Sequence, residues 1–141
     1  MKVMVFVQMD PKDETGAMPS EELLAAMGAY NEELVKAGIM LDVGGLRPTS
    51  ECARVAFHGG TTSVVDGPFT ESKEIVVGYW VWEVGSLEEA VEWARRCPSD
   101  PNDTTTSWLE IRPCVSLEDF GEELQEQEAK LAEQLRSPQQ A

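Results

Sequence analysis

VVGYWVWEVGSLEEAVEWARRCP, residues 76–98, changes its apolar period halfway along. Its first half alternates, with Trp80 and Trp82 on one side and Val77, Tyr79 and Val81 on the other, which is the period of two of a strand. Ser86 and Glu89 then form a capping box, and Leu87, Ala90, Val91 and Ala94 give a helical apolar stripe that Pro98 stops. A strand that passes straight into a capped helix with one apolar stripe is half of an α+β layer pair.

Working outward, KVMVFVQM at 2–9 places Val3, Val5 and Val7 on one face and Met4 and Phe6 on the other, a central strand covered on both sides. Pro19 and Ser20 open a helix in which Leu23, Met27, Tyr30 and Leu34 recur at helical spacing until Gly38. The PKDETGAMP loop at 11–19 is long enough to fold over a site. IMLDVGGLRP at 39–48 reads as a strand with a bulge or bend at Gly44 and Gly45. ARVAFH and TSVVDG flank Gly59-Gly60 as a hairpin, and SWLEIRPC at 107–114 is the last strand. The order β-α-β, hairpin, β-α-β predicts an α+β, ferredoxin-like (split βαβ) domain with an inserted β-hairpin. The domain is expected over 1–115, with a C-terminal helical extension at 116–136 and a disordered tail at 137–141. Ser116 and Asp119 start that helix, and Leu117, Leu124 and Leu131 recur every seven residues, with Phe120 and Leu135 in support.

A chain of 141 residues with 42% hydrophobic content suits one domain. Its net charge of -15 disfavours nucleic acid and anionic membrane as direct partners, since phosphate binding needs clustered Lys and Arg. No stretch approaches the ~20 apolar residues of a membrane span, and the apolar start meets Asp10 and Pro11 too early for a signal peptide, so a cytoplasmic location is expected. Cys52, Cys97 and Cys114 lack a C-x-x-C pair and read as packing thiols. His58 is the only histidine, so no metal and no organic cofactor is expected.

If Val3, Val5, Leu109 and Ile111 face the helices, then Met4, Phe6, Trp80, Trp82, Trp108, Glu110 and Arg112 line the other face of the sheet. So many aromatics on a bare surface predict that another layer covers them.

DGPFTESKEIVVGYWVWEVGSLEEAVEWA at 66–94, LEIRP at 109–113 and AGIMLDVGGLRP at 37–48 resemble the DGPF subgroup of YCII-related proteins. The acidic tail with DFG at 119–121 is similar to that of extended members. The resemblance implies a homodimer whose open sheet faces close into a dimeric α/β barrel, with a pocket in each subunit. Relatives include a dehydrochlorinase and, among related barrels, muconolactone isomerase, which implies proton transfer on small acids or phenols. YCII-type proteins carry a histidine on the first helix paired with an aspartate, and the first helix here has none.

Within that frame Asp66 is a candidate general base at the mouth of the pocket, with Lys73 fixing an anionic group; alternatively Asp66-Gly67-Pro68 is ordinary turn chemistry. Glu110 and Arg112 share one strand face, where they could exchange a proton and clamp a carboxylate, or pair with Lys73 and Glu74 to fix dimer register. Tyr30 and Trp80 read first as core, with a ligand contact as the alternative for each. Two functions stay open: a small-molecule enzyme or binder using carboxylate chemistry on an anionic or phenolic ligand, and a non-catalytic accessory protein. The resemblance also implies the second, since DGPF proteins are associated with extracytoplasmic-function sigma factors and the acidic surface suits a basic protein partner.

Overall fold

Alternating valines in KVMVFVQM build the centre of the sheet. In the computed structural model, which describes residues 1–136, this segment is β1 (Lys2–Met9), and Val3 and Val5 are fully buried. The chain continues through α1 (Glu21–Lys36), β2 (Met40–Gly45), β3 (Ala53–His58), β4 (Thr61–Asp66), β5 (Ile75–Glu83), α2 (Leu87–Arg95), β6 (Ser107–Pro113) and α3 (Glu122–Arg136). Strands β2-β5-β1-β6 form one antiparallel sheet in that order, and β3-β4 form a separate hairpin. This mixed α+β order is consistent with the split plan.

The helix ends are where the local chemistry put them. Ser20 Oγ accepts from Leu23 N at 3.1 Å and Ser86 Oγ from Glu89 N at 3.1 Å, each answering an orphan amide of a first turn. At the far end of α1, Gly38 has φ of 72°, and the amides of Gly38 and Ile39 donate back to the carbonyls of Val35 and Leu34. That is a Schellman closure, and its usual apolar contact is made by two buried side chains, Ile39 and Leu34.

Register corrects the expected faces. Val5 pairs with Trp80 and Val3 with Trp82, and directly paired residues share a face, so both indoles lie under the helices and not on the open side. Alternation within one strand cannot fix its phase against the next strand. Burying an indole removes roughly 200 Å² from water, worth about 5 kcal/mol before entropy is counted. The open face carries Met4, Phe6, Tyr79 and Val81, all half-buried, with exposed Trp108, Glu110 and Arg112 along β6. At its β2 edge Tyr79 lies on Gly44, where an added Cβ would sit 2.7 Å from the ring.

The C-terminal helix is also interrupted. Ser116 N donates to Asp119 Oδ2 at 2.7 Å, as the capping pair predicts, but the turn Leu117–Asp119 stops at Phe120, whose backbone is extended (φ -103°, ψ 156°). α3 begins afresh at Glu122. Gly121 separates the two pieces, which accounts for a break that the seven-residue leucine pattern conceals. Residues 137–141, expected as a tail, lie outside those described.

Candidate functional site

The apolar stripe of α1 is longer than the core beneath it. Tyr30 and Leu34, in its C-terminal half, are buried, whereas Leu23 and Met27, in its N-terminal half, are only partly covered. Under that half lies a cavity of about 360 Å³ between α1, α2 and the β1-β6 side of the sheet. Leu23, Met27, Trp80, Cys97 and Leu109 wall it, and Pro19 and Pro98 stand among its lining residues. Its polar side chains are Ser99, Ser107 and Cys97, and among the described residues no charged one lines it. Such a half-open, largely apolar lining favours neutral guests, because it offers an ion no countercharge. Cys97 Sγ lies 3.9 Å from Met27 Sδ, and burial pushes its thiol pKa up, which keeps it protonated and a poor nucleophile at neutral pH.

The six residues singled out from the sequence divide into three places. Tyr30 and Trp80 meet in the core as an edge-to-face pair with centroids 5.9 Å apart. Tyr30 Oη donates to the Trp93 carbonyl at 2.7 Å, and its pKa is raised, first by burial and then by Cys97. Trp80 Nε1 donates to Asn31 Oδ1 at 2.9 Å while the residue also lines the cavity. Glu110 and Arg112 stand exposed on the open face opposite Phe6 and Met4, and neither makes an ion pair among the described residues. Asp66 and Lys73 belong to the hairpin and the turn that leads into β5. Lys73 leads into β5, which lies two strand spacings, about 10 Å, from β6 with β1 between them. Among the described residues no ion pair joins Asp66 or Lys73 to Glu110 or Arg112.

The turn after Asp66 is held by contacts of its own. Gly67 N donates to the Cys52 carbonyl at 2.8 Å, and a Cβ on Gly67 would fall 1.6 Å from the Thr49 carbonyl oxygen. Arg54 stacks on the Phe69 ring at 3.8 Å and donates to Ser72 Oγ at 3.0 Å. Thr49 Oγ1 donates to Glu14 at 2.6 Å, so the loop after β1 is tied to the same turn. Glycine is therefore required here by a backbone crossing.

Sequence reasoning took Cys97, Leu23 and Met27 for packing and missed their shared chamber. The available signal was the mismatch between the four-membered stripe of α1 and the shorter α2, which spans Leu87–Arg95. Among the described residues no group of three or more His, Cys, Asp or Glu is placed to hold a metal ion, and no helix is long and apolar enough to cross a membrane.

Compared with known proteins, residues 1–112 match the YCII-related domain. An uncharacterised protein of Rhizobium meliloti is 37% identical over 93 residues, covering 66% of this chain and 73% of that relative.

Proposed function

We propose, from the premise that the chain belongs to the YCII-related domain family, that it is a small-molecule-binding protein of the DGPF subgroup. Its ligand is flat, neutral and phenolic or similarly apolar, held in the chamber beneath the N-terminal half of α1. The observation that carries this reading is a 360 Å³ cavity walled by Trp80, Met27 and Leu109 without a single charge. Pockets that bind small molecules run from about 300 to 1,000 Å³ and are mostly apolar with a few polar groups, and Ser99 and Ser107 would serve here to orient a hydroxyl. In this reading the working unit is a homodimer closed over the open sheet faces.

A second reading keeps carboxylate chemistry. Glu110 and Arg112 share the open face with Phe6 and Tyr79 and are unpaired in one subunit. A second copy laid over that face would enclose them, with Glu110 placed to exchange a proton and Arg112 free for an anion. Asp66 and Lys73 would then have to come from the partner copy.

Fluorescence titration with N-phenyl-1-naphthylamine, a neutral aromatic probe, separates the two. The first reading expects saturable binding, at least tenfold weaker after Leu23→Trp, which fills the cavity, and unchanged after Glu110→Gln or Arg112→Gln. Unimpaired binding to Leu23→Trp, or none to the wild type, would overturn it. Retained probe binding together with turnover of a phenolic acid that Glu110→Gln abolishes would favour the second.

A further inference from the structure

Between β1 and α1 the chain passes from a firmly held turn into a stretch that is bonded only to itself. Asp10 Oδ1 accepts from Lys12 N at 3.0 Å, Glu14 N donates to the Pro11 carbonyl at 3.1 Å, and Pro11 is buried. The Glu14 carboxylate takes both donors of Thr49, the hydroxyl at 2.6 Å and the amide at 3.1 Å, and Thr49 is itself buried. Beyond Glu14 this anchoring stops. Thr15, Gly16, Ala17, Met18 and Pro19 are all exposed, and among the described residues their hydrogen bonding is confined to Ala17 N donating to Thr15 Oγ1 at 3.3 Å. Ser20 then caps α1.

This strap has open space on two sides. Pro19 lines the chamber under α1, beside Leu23, and it also lines a second hollow of about 310 Å³ against Met9, Leu46 and Val77. Gly16 and Ala17 border that second hollow as well. A segment with a void on each flank and no bond to its neighbours belongs to the least stable part of a fold. Gly16 supplies a joint: its φ is 72°, and a Cβ there would meet no atom within 4 Å, so packing does not fix it. Met18 is one Cα step, about 3.8 Å, from Pro19 at the chamber wall, and it is 80% exposed. A long thioether kept in water at the edge of a half-open apolar cavity has an apolar contact left to make.

We propose that Thr15–Pro19 is a lid that turns about Gly16 and lays Met18 over a guest in the chamber. Glu14 and the Ser20 cap hold its two ends, so the movement leaves β1 and α1 in place. Sulfur against an aromatic ring is a favourable contact, and closing takes the outer face of the guest out of water. The inference rests on the small-molecule reading of the chamber and adds how that site is sealed.

Methionine oxidation by dilute hydrogen peroxide tests it, read by peptide mass spectrometry on the full chain with and without saturating N-phenyl-1-naphthylamine. Met27, in the chamber wall, reports the guest; Met18 reports the lid; Met1, 43% exposed and outside both hollows, is the reference. With probe, Met18 and Met27 are each expected to oxidise about fivefold more slowly and Met1 at its former rate. Met18→Ser should speed probe dissociation in stopped flow by about fivefold, with cooperative melting retained. Protection of Met27 without Met18 overturns the lid and leaves the chamber reading standing, as does a dissociation rate that Met18→Ser leaves unchanged. Protection of Met18 alone also overturns it, since the guest would then lie outside the chamber. Protection of neither overturns the lid, and takes the chamber reading with it when titration shows no binding.

Discussion

The two faces of the four-stranded sheet solve opposite problems with neighbouring residues of the same strands. Under the helices, Val3, Val5 and Trp82 are buried completely and Trp80 nearly so; across the sheet, Met4, Phe6, Tyr79 and Val81 stop at half burial beside exposed Glu110 and Arg112. One face is a finished core with a chamber at one end, and the other is apolar surface with charges at its margin. Burial depth, more than residue type, therefore separates what holds the chain together from apolar surface left open.

The largest effect expected from breaking this contrast is at Leu34, which is fully buried against the helix side. Leu34→Ala should cost about 3–5 kcal/mol in urea denaturation, and Val81→Ala on the open face less than half as much. A similar cost for both would mean that the faces are equally committed. Next is the seam between Gly44 and Tyr79. Gly44→Ala drives a methyl into the ring, where the gap is 2.7 Å, and should cost about 1–3 kcal/mol, largely recovered in the double variant with Tyr79→Val.

The two indoles offer a finer comparison. Trp82 Nε1 is buried without a partner, whereas Trp80 Nε1 has Asn31. Relative to Trp82→Phe, Trp80→Phe should be worse by about 1 kcal/mol, because only the second discards a satisfied bond and leaves Asn31 behind. The smallest effect concerns pH. Tyr30 keeps its proton in the folded state beyond the pH at which the unfolded chain releases it, near 10. Its contribution is thus fully present below that pH and declines as pH rises above it, because the unfolded state then binds fewer protons. Chemical denaturation between pH 9 and 11 should show a downward limb that Tyr30→Phe flattens.

Much of this architecture was legible because it is local. Ser20, Gly38, Ser86 and the Gly59-Gly60 turn each announce an element end through chemistry within four residues, and each is found there. What could not be read is phase between strands. Nothing within VVGYWVWEV states whether Trp80 sits behind Val5 or Met4, so the aromatic face was assigned to the wrong side, and the chamber beside Trp80 went unseen with it. Glu110 and Arg112 were placed on the open face correctly because β6 was phased on Leu109 and Ile111, whose apolar character leaves one choice. The break at Phe120 was hidden for a different reason, since a seven-residue leucine spacing persists whether or not one helix spans it.

Gly67 bears on how Asp66-Gly67-Pro68-Phe69 hold their turn in this chain. Where two stretches of main chain touch, the only tolerated substituent is hydrogen, and that requirement belongs to the scaffold whatever the protein binds.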